Sequence, residues 1–411
     1  MKILQINGCH YRRGGADVVY LNTGALLEER GHEVNYFTQS HSSNLDNHDS
    51  NYQVEKTDYF SGGIIKRILA VPRFLYSFDA MRKLNKLIDD KNPDIAHIHT
   101  YKGSLTASIL HVLKRRNVPV VMTLHDYGLL CPHNLFLDGK GRVCTRCVDS
   151  NNSFNSVIHR CNRGSLYLSF ISWIEYFFHS KFIPFDKYFD KFISVSRFNA
   201  KIHVKHLKKS EMVGHIYNFF PNLKAVEVSE AAGGPYVYAG RLSNEKGLIT
   251  LVKAWALVDR KMVLNIIGEG PVRTQLETLC TELGIKNIHF LGFMGKNELY
   301  EQLKGSSFVI VPSEWYENNP LAIIEAYAHG KPVIASSTGG ISEIVEDGRT
   351  GFLFVPGSVS QLADKLDHSF QVNSKDYKAL SLRAREFAEI NFSADEHYKL
   401  LLEFYQEVLA D

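Results

Sequence analysis

Short β-rich runs alternate with helical stretches along this 411-residue chain, and the alternation occurs as two separate series. Candidate strands lie at 3–7, 34–38, 95–99, 118–123 and 192–196 in the first series, and at 236–239, 263–267, 288–291, 308–311 and 333–336 in the second. Strands separated by helices pair in parallel, because each helix carries the chain back to the same end of the sheet. The pattern therefore predicts two α/β domains.

The pattern loosens around 218–234, where Asn-Phe-Phe-Pro-Asn and Ala-Ala-Gly-Gly-Pro are typical of an interdomain linker. We therefore place the first domain at 1–220, with a cysteine-rich insertion at about 128–165, the second domain at 221–392 and a final helix at 393–411. The apolar start is too short for a signal peptide, and no apolar run reaches the ~18 residues of a membrane-spanning helix. We expect a cytoplasmic protein.

The net charge of +3 is unevenly distributed. Residues 1–222 carry 29 Lys and Arg against 19 Asp and Glu, hence +10, and residues 223–411 carry 18 against 25, hence −7. Basic clusters at 66–67, 82–83 and 114–116 have helix-like spacing. The first half therefore suits an anionic partner, such as nucleic acid, a lipid surface or a phosphorylated acceptor. The alternative is that the basic clusters are ordinary solvated helix faces. No recognised nucleic-acid-binding motif occurs, so we expect no nucleic-acid partner.

One stretch of the second series, Ser313 to Ala326, combines two carboxylates with a helix-start signal. Asn319 can cap a helix whose first position suits Pro320, with Glu317 in the preceding loop and Glu325 about one and a half turns into the helix. A helix N-terminus suits an anion such as a diphosphate, which the carboxylates would repel unless they bind neutral hydroxyls on either side of it. The stretch predicts a sugar-nucleotide site, with a solvated pair of Glu as the alternative.

Two other loops carry groups that suit a phosphate. Gly14 and Gly15 open a helix after the first strand, and glycines let the backbone approach a phosphate closely, although a simple turn is the alternative and the dinucleotide fingerprint is absent. Arg241 and Lys246 lie five residues apart in a strand-to-helix loop. Both could reach one diphosphate and neutralise the charge of a leaving group.

A histidine and a further glycine turn also follow candidate strands. His125 and Asp126 lie at the carboxyl end of the strand 118–123, where open parallel sheets bind ligands. His125 could donate a hydrogen bond to a sugar hydroxyl or stabilise transition-state charge, and a structural histidine is the alternative. The turn from Gly268 to Pro271 suits a base or a ribose.

Taken together, these motifs resemble those of the family 4 retaining glycosyltransferases, which have the GT-B fold of two Rossmann-like domains facing a central cleft. The resemblance covers nearly the whole chain and rests on six motifs in the order of the family. They are Gly14-Gly15-Ala16-Asp17, His125-Asp126, Gly240-Arg241-Leu242 with Lys246-Gly247, Gly268-Glu269-Gly270-Pro271, Glu317 through Glu325, and Gly339-Gly340-Ile341-Ser342-Glu343.

The resemblance implies a nucleoside-diphosphate sugar as donor, a saccharide or lipid-linked acceptor, and no metal ion for donor binding, in keeping with the absence of an Asp-x-Asp motif from the sequence. It also implies that the final helix crosses back onto the first domain. A sugar-nucleotide epimerase and a non-catalytic sugar-nucleotide-binding protein are the alternatives. The residues implied in catalysis are His125, Arg241, Lys246 and Glu317, and those implied in donor binding are Gly14, Gly15, Gly240, Gly268, Gly270, Asn319, Pro320, Leu321 and Glu325.

Four of the six cysteines are clustered: Cys131, Cys144, Cys147 and Cys161. In a chain expected in the cytoplasm, a Cys-x-x-Cys pair flanked by one further cysteine on each side favours structural zinc over disulfides. Reduced thiols without metal and a redox pair are the alternatives.

Aromatic residues are dense between Leu166 and Phe198, with partly helical spacing. Such stripes usually belong to a core. An interfacial helix beside the basic clusters is the alternative, and it predicts peripheral association with an anionic inner leaflet.

Overall fold

The computed structural model describes residues 1–56, 75–207, 209–226, 233–258 and 261–410. These residues form two α/β domains, each built on a six-stranded sheet in which every neighbouring pair of strands is parallel. The predicted fold class, two Rossmann-like domains, is confirmed.

The first sheet has the strand order β2-β1-β3-β4-β5-β6. Its strands are β1 Lys2–Ile6, β2 Glu33–Phe37, β3 Ile95–Ile98, β4 Val120–Leu124, β5 Lys191–Ser194 and β6 Val213–His215. The helices of this half are Gly15–Glu29, Phe78–Lys91, Ser108–Arg115, Arg146–Asp149, Asn155–Ile158, Leu166–Phe182, Phe185–Tyr188 and Arg197–Leu207, with 3-10 turns at Ser50–Tyr52 and Ser210–Met212.

The second sheet has the order β12-β11-β10-β7-β8-β9. Its strands are β7 Tyr236–Ala239, β8 Leu264–Ile267, β9 Ile288–Gly292, β10 Val309–Val311, β11 Val333–Ser336 and β12 Gly351–Phe354. The helices are Leu248–Trp255, Arg273–Glu282, Lys296–Gly305, Leu321–Ala328, Ile341–Ile344, Val359–Phe370, Ser374–Asn391 and Ala394–Ala410, with 3-10 turns at Leu223–Ala225 and Asn244–Lys246.

The ten predicted strands are all present within a few residues, because the strands of these sheets are short apolar runs. Two strands were missed, the edge strands β6 and β12. In β6 the sequence Val-Gly-His has a single apolar residue and no pattern to detect. In β12 the run Phe-Leu-Phe-Val between a Gly and a Pro was a usable signal.

The segment that composition predicted as a linker is packed at its beginning. Phe220 and Leu223 are buried in a core cluster of the second domain, and the backbone N–H of Phe220 donates to the carbonyl of Phe392 at 2.9 Å. The segment between the two sheets is therefore packed at 218–226, because large apolar side chains there enter the core of the second domain. Residues 227–232 lie outside the described residues.

The last helix, Ala394–Ala410, packs on the first domain. Leu401, Tyr405 and Val408 are buried with Ile3 and Tyr20 in one cluster. The chain therefore begins and ends in the same domain.

The aromatic helix, Leu166–Phe182, buries polar residues and exposes apolar ones. Glu175 and His179 are only 9% exposed, whereas Phe170 and Phe182 are 41% and 63% exposed. Spacing alone predicted a core stripe, but much of this apolar face lies at the surface. Among the described helices, none has both the length and the apolar character to cross a bilayer.

Candidate active site

Loops at the carboxyl ends of the two sheets meet between the domains. The side-chain amide of Asn318, after β10, donates to the carbonyl of His125, after β4, at 2.7 Å. Two residues beyond His125, the hydroxyl of Tyr127 donates to the carbonyl of Tyr316 at 3.2 Å. The structure thus brings His125 of the first domain against the loop that carries Glu317.

The glycine turn of the first domain, Gly14-Gly15, faces the helix that follows the Glu317 loop. Gly14 precedes the helix Gly15–Glu29, as predicted, and a Cβ built on Gly15 would lie 3.9 Å from Leu321 Cδ1. The two motifs are therefore neighbours across the cleft.

The second-domain glycines pack strand-end loops against each other. Gly268 has φ +130°, and a Cβ on it would lie 2.0 Å from the carbonyl oxygen of Gly240. A Cβ on Gly270 would lie 2.1 Å from the carbonyl oxygen of Leu242. Real side chains cannot approach a backbone so closely, so glycine is required here by packing alone.

Glu317 is held by a buried ion pair. The side chain of Glu317 is 7% exposed, and its Oε1 lies 2.6 Å from Lys246 Nζ and accepts from the Ser313 hydroxyl at 2.7 Å. Lys246 also lies over the ring of Trp315, 5.4 Å from its centroid. Two residues predicted to share one substrate are thus bound to each other in this structure.

Arg241 is paired with a different carboxylate from the one that binds Lys246. Its Nη2 lies 2.7 Å from Glu245 Oε1, which also accepts from the Ser243 hydroxyl at 2.6 Å. The Arg241 side chain is 64% exposed, so this pair is held more weakly than the buried pair of Lys246. An incoming anion would have to exchange with both carboxylates.

Glu325 lies among cations that sequence reasoning missed. Burial raises the pKa of Glu325 to about 7, against the opposing effect of Lys296 and Arg12. Arg12 precedes the glycine turn of the first domain, where an Arg-Arg pair was a usable signal for an anion site. Lys296 begins the helix Lys296–Gly305 and stands in no motif.

The predicted helix cap at Asn319 is wrong. The helix begins at Leu321, and Pro320 precedes it with ψ 121°. The Asn319 side-chain oxygen instead accepts from the backbone N–H of Asn218 at 2.8 Å. A partner 101 residues away competes successfully with the local cap.

His125 is part of a buried histidine cluster. Its Nε2 lies 2.9 Å from Nδ1 of His99, and the His99 ring lies 4.4 Å from that of His97. Burial lowers the pKa of His125 to about 3, so the ring is neutral near pH 7. A neutral ring can exchange hydrogen bonds with a sugar hydroxyl but carries no charge to offset that of a transition state.

The four clustered cysteines are neighbours and carry free thiols. Cys131 and Cys161 are buried. Burial raises the pKa of Cys147 to about 12, with further contributions from Cys131, Cys161 and Cys144. Four thiols are a donor set that suits zinc. In the described ranges, however, no three His, Cys, Asp or Glu side chains are grouped tightly enough to hold a cation, so the zinc site stays a prediction.

Purified protein is expected to carry about one equivalent of zinc after exhaustive dialysis, because four thiolates would close the coordination shell of a structural ion. Elemental analysis measures it, and replacing Cys144 and Cys147 by Ser should abolish it. Replacing the remote buried Cys280 by Ser is the matched control. Folded protein without metal, with all four thiols open to alkylation, would contradict the site.

Comparison with known proteins gives two family matches that together span most of the chain. Residues 13–221, just over half of it, match the model described as Glycosyltransferase Family 4. Residues 226–387 match the model described as Glycosyl transferases group 1.

Individual relatives are distant. An uncharacterized glycosyltransferase of Methanocaldococcus jannaschii is 34% identical over 134 residues, which span 32% of this chain and 34% of that protein. The N-acetyl-alpha-D-glucosaminyl L-malate synthase of Bacillus anthracis is 22% identical over 98% of this chain and 96% of its own. The crystal structure of Anabaena HepE in complex with UDP-glucose has a TM-score of 0.71 at 17% identity, covering 99% of this chain and 100% of that one.

Proposed function

The chain belongs to the family 4 and group 1 glycosyltransferases, and from this membership we propose that it is a retaining enzyme that transfers a hexose-type sugar from a nucleoside-diphosphate sugar to an acceptor hydroxyl. Uracil is the proposed base, since the similarly folded HepE was crystallised with UDP-glucose. The observation that carries the proposal is the 2.7 Å contact from Asn318 to His125, which joins the strand-end motifs of both domains in one cleft.

The ion pairs of the cleft suggest how a donor enters. A diphosphate would replace Glu317 at Lys246 and Glu245 at Arg241, exchanging carboxylate partners for phosphate oxygens. The cations then offset the charge that develops on the leaving phosphate, in a preorganised arrangement that needs no metal ion. Glu317, released from Lys246, is free to accept hydrogen bonds from sugar hydroxyls.

We assign no enzymic nucleophile. The acceptor hydroxyl attacks on the face from which the phosphate departs, and the departing phosphate oxygen takes its proton. The bond from the anomeric carbon to the phosphate breaks while the bond to the acceptor oxygen forms, so the configuration is retained.

A thermal-shift screen of sugar nucleotides, followed by product analysis, tests the proposal. Binding should stabilise the folded protein, and turnover should release the nucleoside diphosphate only slowly without an acceptor. An epimerised sugar nucleotide formed without acceptor would favour an epimerase, and binding without any turnover or hydrolysis would favour a binding protein.

Donor binding should tighten as the pH rises through about 7. Burial raises the pKa of Glu325 to about 7, so this carboxyl is mostly protonated below that pH and mostly ionised above it. The ionised form offers one acceptor oxygen to each ribose hydroxyl, whereas protonation turns one of the two oxygens into a donor. Calorimetry with an intact sugar nucleotide measures the affinity, and its diphosphate diester does not titrate in this range. An unchanged pH profile in Glu325→Gln would contradict the assignment.

We further propose an acceptor that is membrane-linked or part of a surface polysaccharide or glycolipid, and a first domain that docks on the anionic cytoplasmic leaflet. The support is the charge of +10 on residues 1–222 and the exposed apolar face of the helix Leu166–Phe182. Each basic residue near such a surface contributes about 1 kcal/mol, so a few on one face suffice for reversible binding.

Anionic vesicles should co-sediment the protein at low salt and release it at high salt. Arg82, with its side chain 80% exposed, is a good site for charge reversal, whereas Lys83 is tied to the carbonyl of Gln53 at 2.7 Å. Lys66 and Arg67, the other predicted contacts, lie outside the described residues. Arg82→Glu combined with Phe170→Ser should weaken binding, and Lys253→Glu on the second domain should not. Equal recovery in the supernatant with and without vesicles would remove the membrane proposal.

A further inference from the structure

A series of buried hydrogen bonds leads from the cleft into the first domain and starts at His125. Nε2 of His125 lies 2.9 Å from Nδ1 of His99, and Nε2 of His99 lies 3.0 Å from the side-chain oxygen of Gln5. His99 and Gln5 are 2% and 0% exposed, so water does not compete for these contacts. The planes of the two rings differ by only 20°, which suits an in-plane bond between their nitrogens.

The positions of the protons follow from the inner end of this series. An amide oxygen only accepts, so Nε2 of His99 carries a hydrogen. Burial lowers the pKa of His99 well below its usual value, and a neutral imidazole has a single N–H. Nδ1 of His99 is therefore an acceptor, and Nε2 of His125 has to be the donor.

The same reasoning gives the protonation state of the other ring nitrogen of His125, Nδ1. The ring is neutral near pH 7, because burial lowers its pKa to about 3. With its hydrogen on Nε2, the ring has a lone pair on Nδ1. Within the part of the chain that the structure describes, this Nδ1 has no hydrogen-bond partner.

We propose that Gln5 and His99 are positioning residues that hold His125 as the Nε2–H tautomer, so that its Nδ1 accepts a hydrogen bond from a hydroxyl of the donor sugar. The nature of the bound hydroxyl rests on the proposed function, but the tautomer does not. A site that accepts in this way discriminates against a donor with hydrogen or fluorine in place of that hydroxyl, since neither can donate the bond.

The neighbouring His97 supplies a matched control. Its Nδ1 lies 2.7 Å from the hydroxyl of Tyr405, and its Nε2 lies 2.7 Å from the hydroxyl of Thr123. Hydroxyls donate or accept as needed, so they do not dictate the proton of His99. Thr123→Val therefore removes a buried hydroxyl from the same cluster, at Nε2 of His97, while Gln5 keeps its contacts to His97 and His99.

Nitrogen-15 NMR of histidine-labelled protein measures the tautomer, with the His125 signals identified by their loss in His125→Ala. Without any donor, the wild-type protein should show His125 protonated at Nε2 and unprotonated at Nδ1. Gln5→Leu removes the amide oxygen that holds the hydrogen of His99, so His125 should shift toward the Nδ1–H form. Thr123→Val should leave the tautomer unchanged.

Kinetics with a sugar nucleotide then measure what the tautomer contributes. In Gln5→Leu, the Nδ1–H of His125 would face the sugar hydroxyl, which would have to accept this bond and would lose the partner to which it donates. We expect kcat/KM to fall about tenfold or more. Thr123→Val should change it by less than about twofold. A donor fluorinated at the contacted position should be as poor a substrate as the deoxy donor.

The outcomes separate this inference from the proposed function. A protonated Nδ1 in the wild-type protein would overturn it, even if Gln5→Leu failed to fold. An unchanged His125 tautomer in folded Gln5→Leu would also overturn it. A protein with the expected tautomers that turns over no sugar nucleotide would refute the proposed function and still support the positioning of His125.

Discussion

Lys246→Ala is expected to lower kcat about a hundredfold, because a charge-assisted contact to a developing oxyanion is worth on the order of 3 kcal/mol in the transition state. The 2.6 Å pair with Glu317 sharpens the expectation. Lys246 pairs with Glu317 in this structure and, in the proposed mechanism, with a phosphate of the bound donor, so its loss removes the cation from both. Arg241→Ala should lower kcat as well, with less effect on stability, since its side chain is 64% exposed.

Steady-state kinetics at saturating donor measure the loss, and urea unfolding shows how much stability goes with it. The control is Lys253→Ala, which removes an exposed lysine from the same domain. Near-normal kcat in both Lys246→Ala and Arg241→Ala would contradict the phosphate assignment. A loss that followed the fraction unfolded would indicate a structural role for Lys246 instead.

Tyr405→Ala is expected to destabilise the protein by about 3–5 kcal/mol, the range for truncating a large buried aromatic side chain. Tyr405 is 0% exposed and belongs to the cluster that docks the last helix on the first domain. Tyr405→Phe keeps the ring and loses only the hydroxyl, with its contacts to His97 and Gln5, so its cost should be about 1 kcal/mol.

Urea unfolding followed by circular dichroism compares these variants. Glu403→Ala, at an exposed position of the same helix, should stay within about 0.5 kcal/mol of the wild type. If Tyr405→Ala and Glu403→Ala unfolded at the same urea concentration, the last helix would not be docked as described.

The fold could be predicted from the sequence because its elements have local causes. A central strand such as β10, with all three residues buried, is apolar along its whole length and can therefore be recognised in the sequence. An edge strand such as β6 is covered on fewer sides and tolerates glycine and histidine. Its place depends on its partner β5, which no local pattern records.

The candidate site could be predicted only as a set of loops. Glu317 and Lys246 were both identified from motifs. Their pairing joins residues 71 positions apart, so only the structure could show it. The proton-holding role of Gln5 depends on His99, 94 positions away. The prediction that the aromatic stripe of the helix Leu166–Phe182 lies in the core failed for the same reason. Spacing defines a stripe on a helix, but it does not say which stripe is covered by a neighbouring element.

The return of the last helix has a consequence for synthesis on the ribosome. Nearly all of the first domain leaves the ribosome before the second domain, but Leu401, Tyr405 and Val408, which complete one of its clusters, are made only after the second domain. Domains generally fold as units in the order of synthesis, yet here the first unit to appear stays unfinished until the helix Ala394–Ala410 has been made. The first domain therefore cannot be produced whole as one uninterrupted fragment, and a nascent chain stalled before residue 394 should expose the apolar groove that the last helix fills.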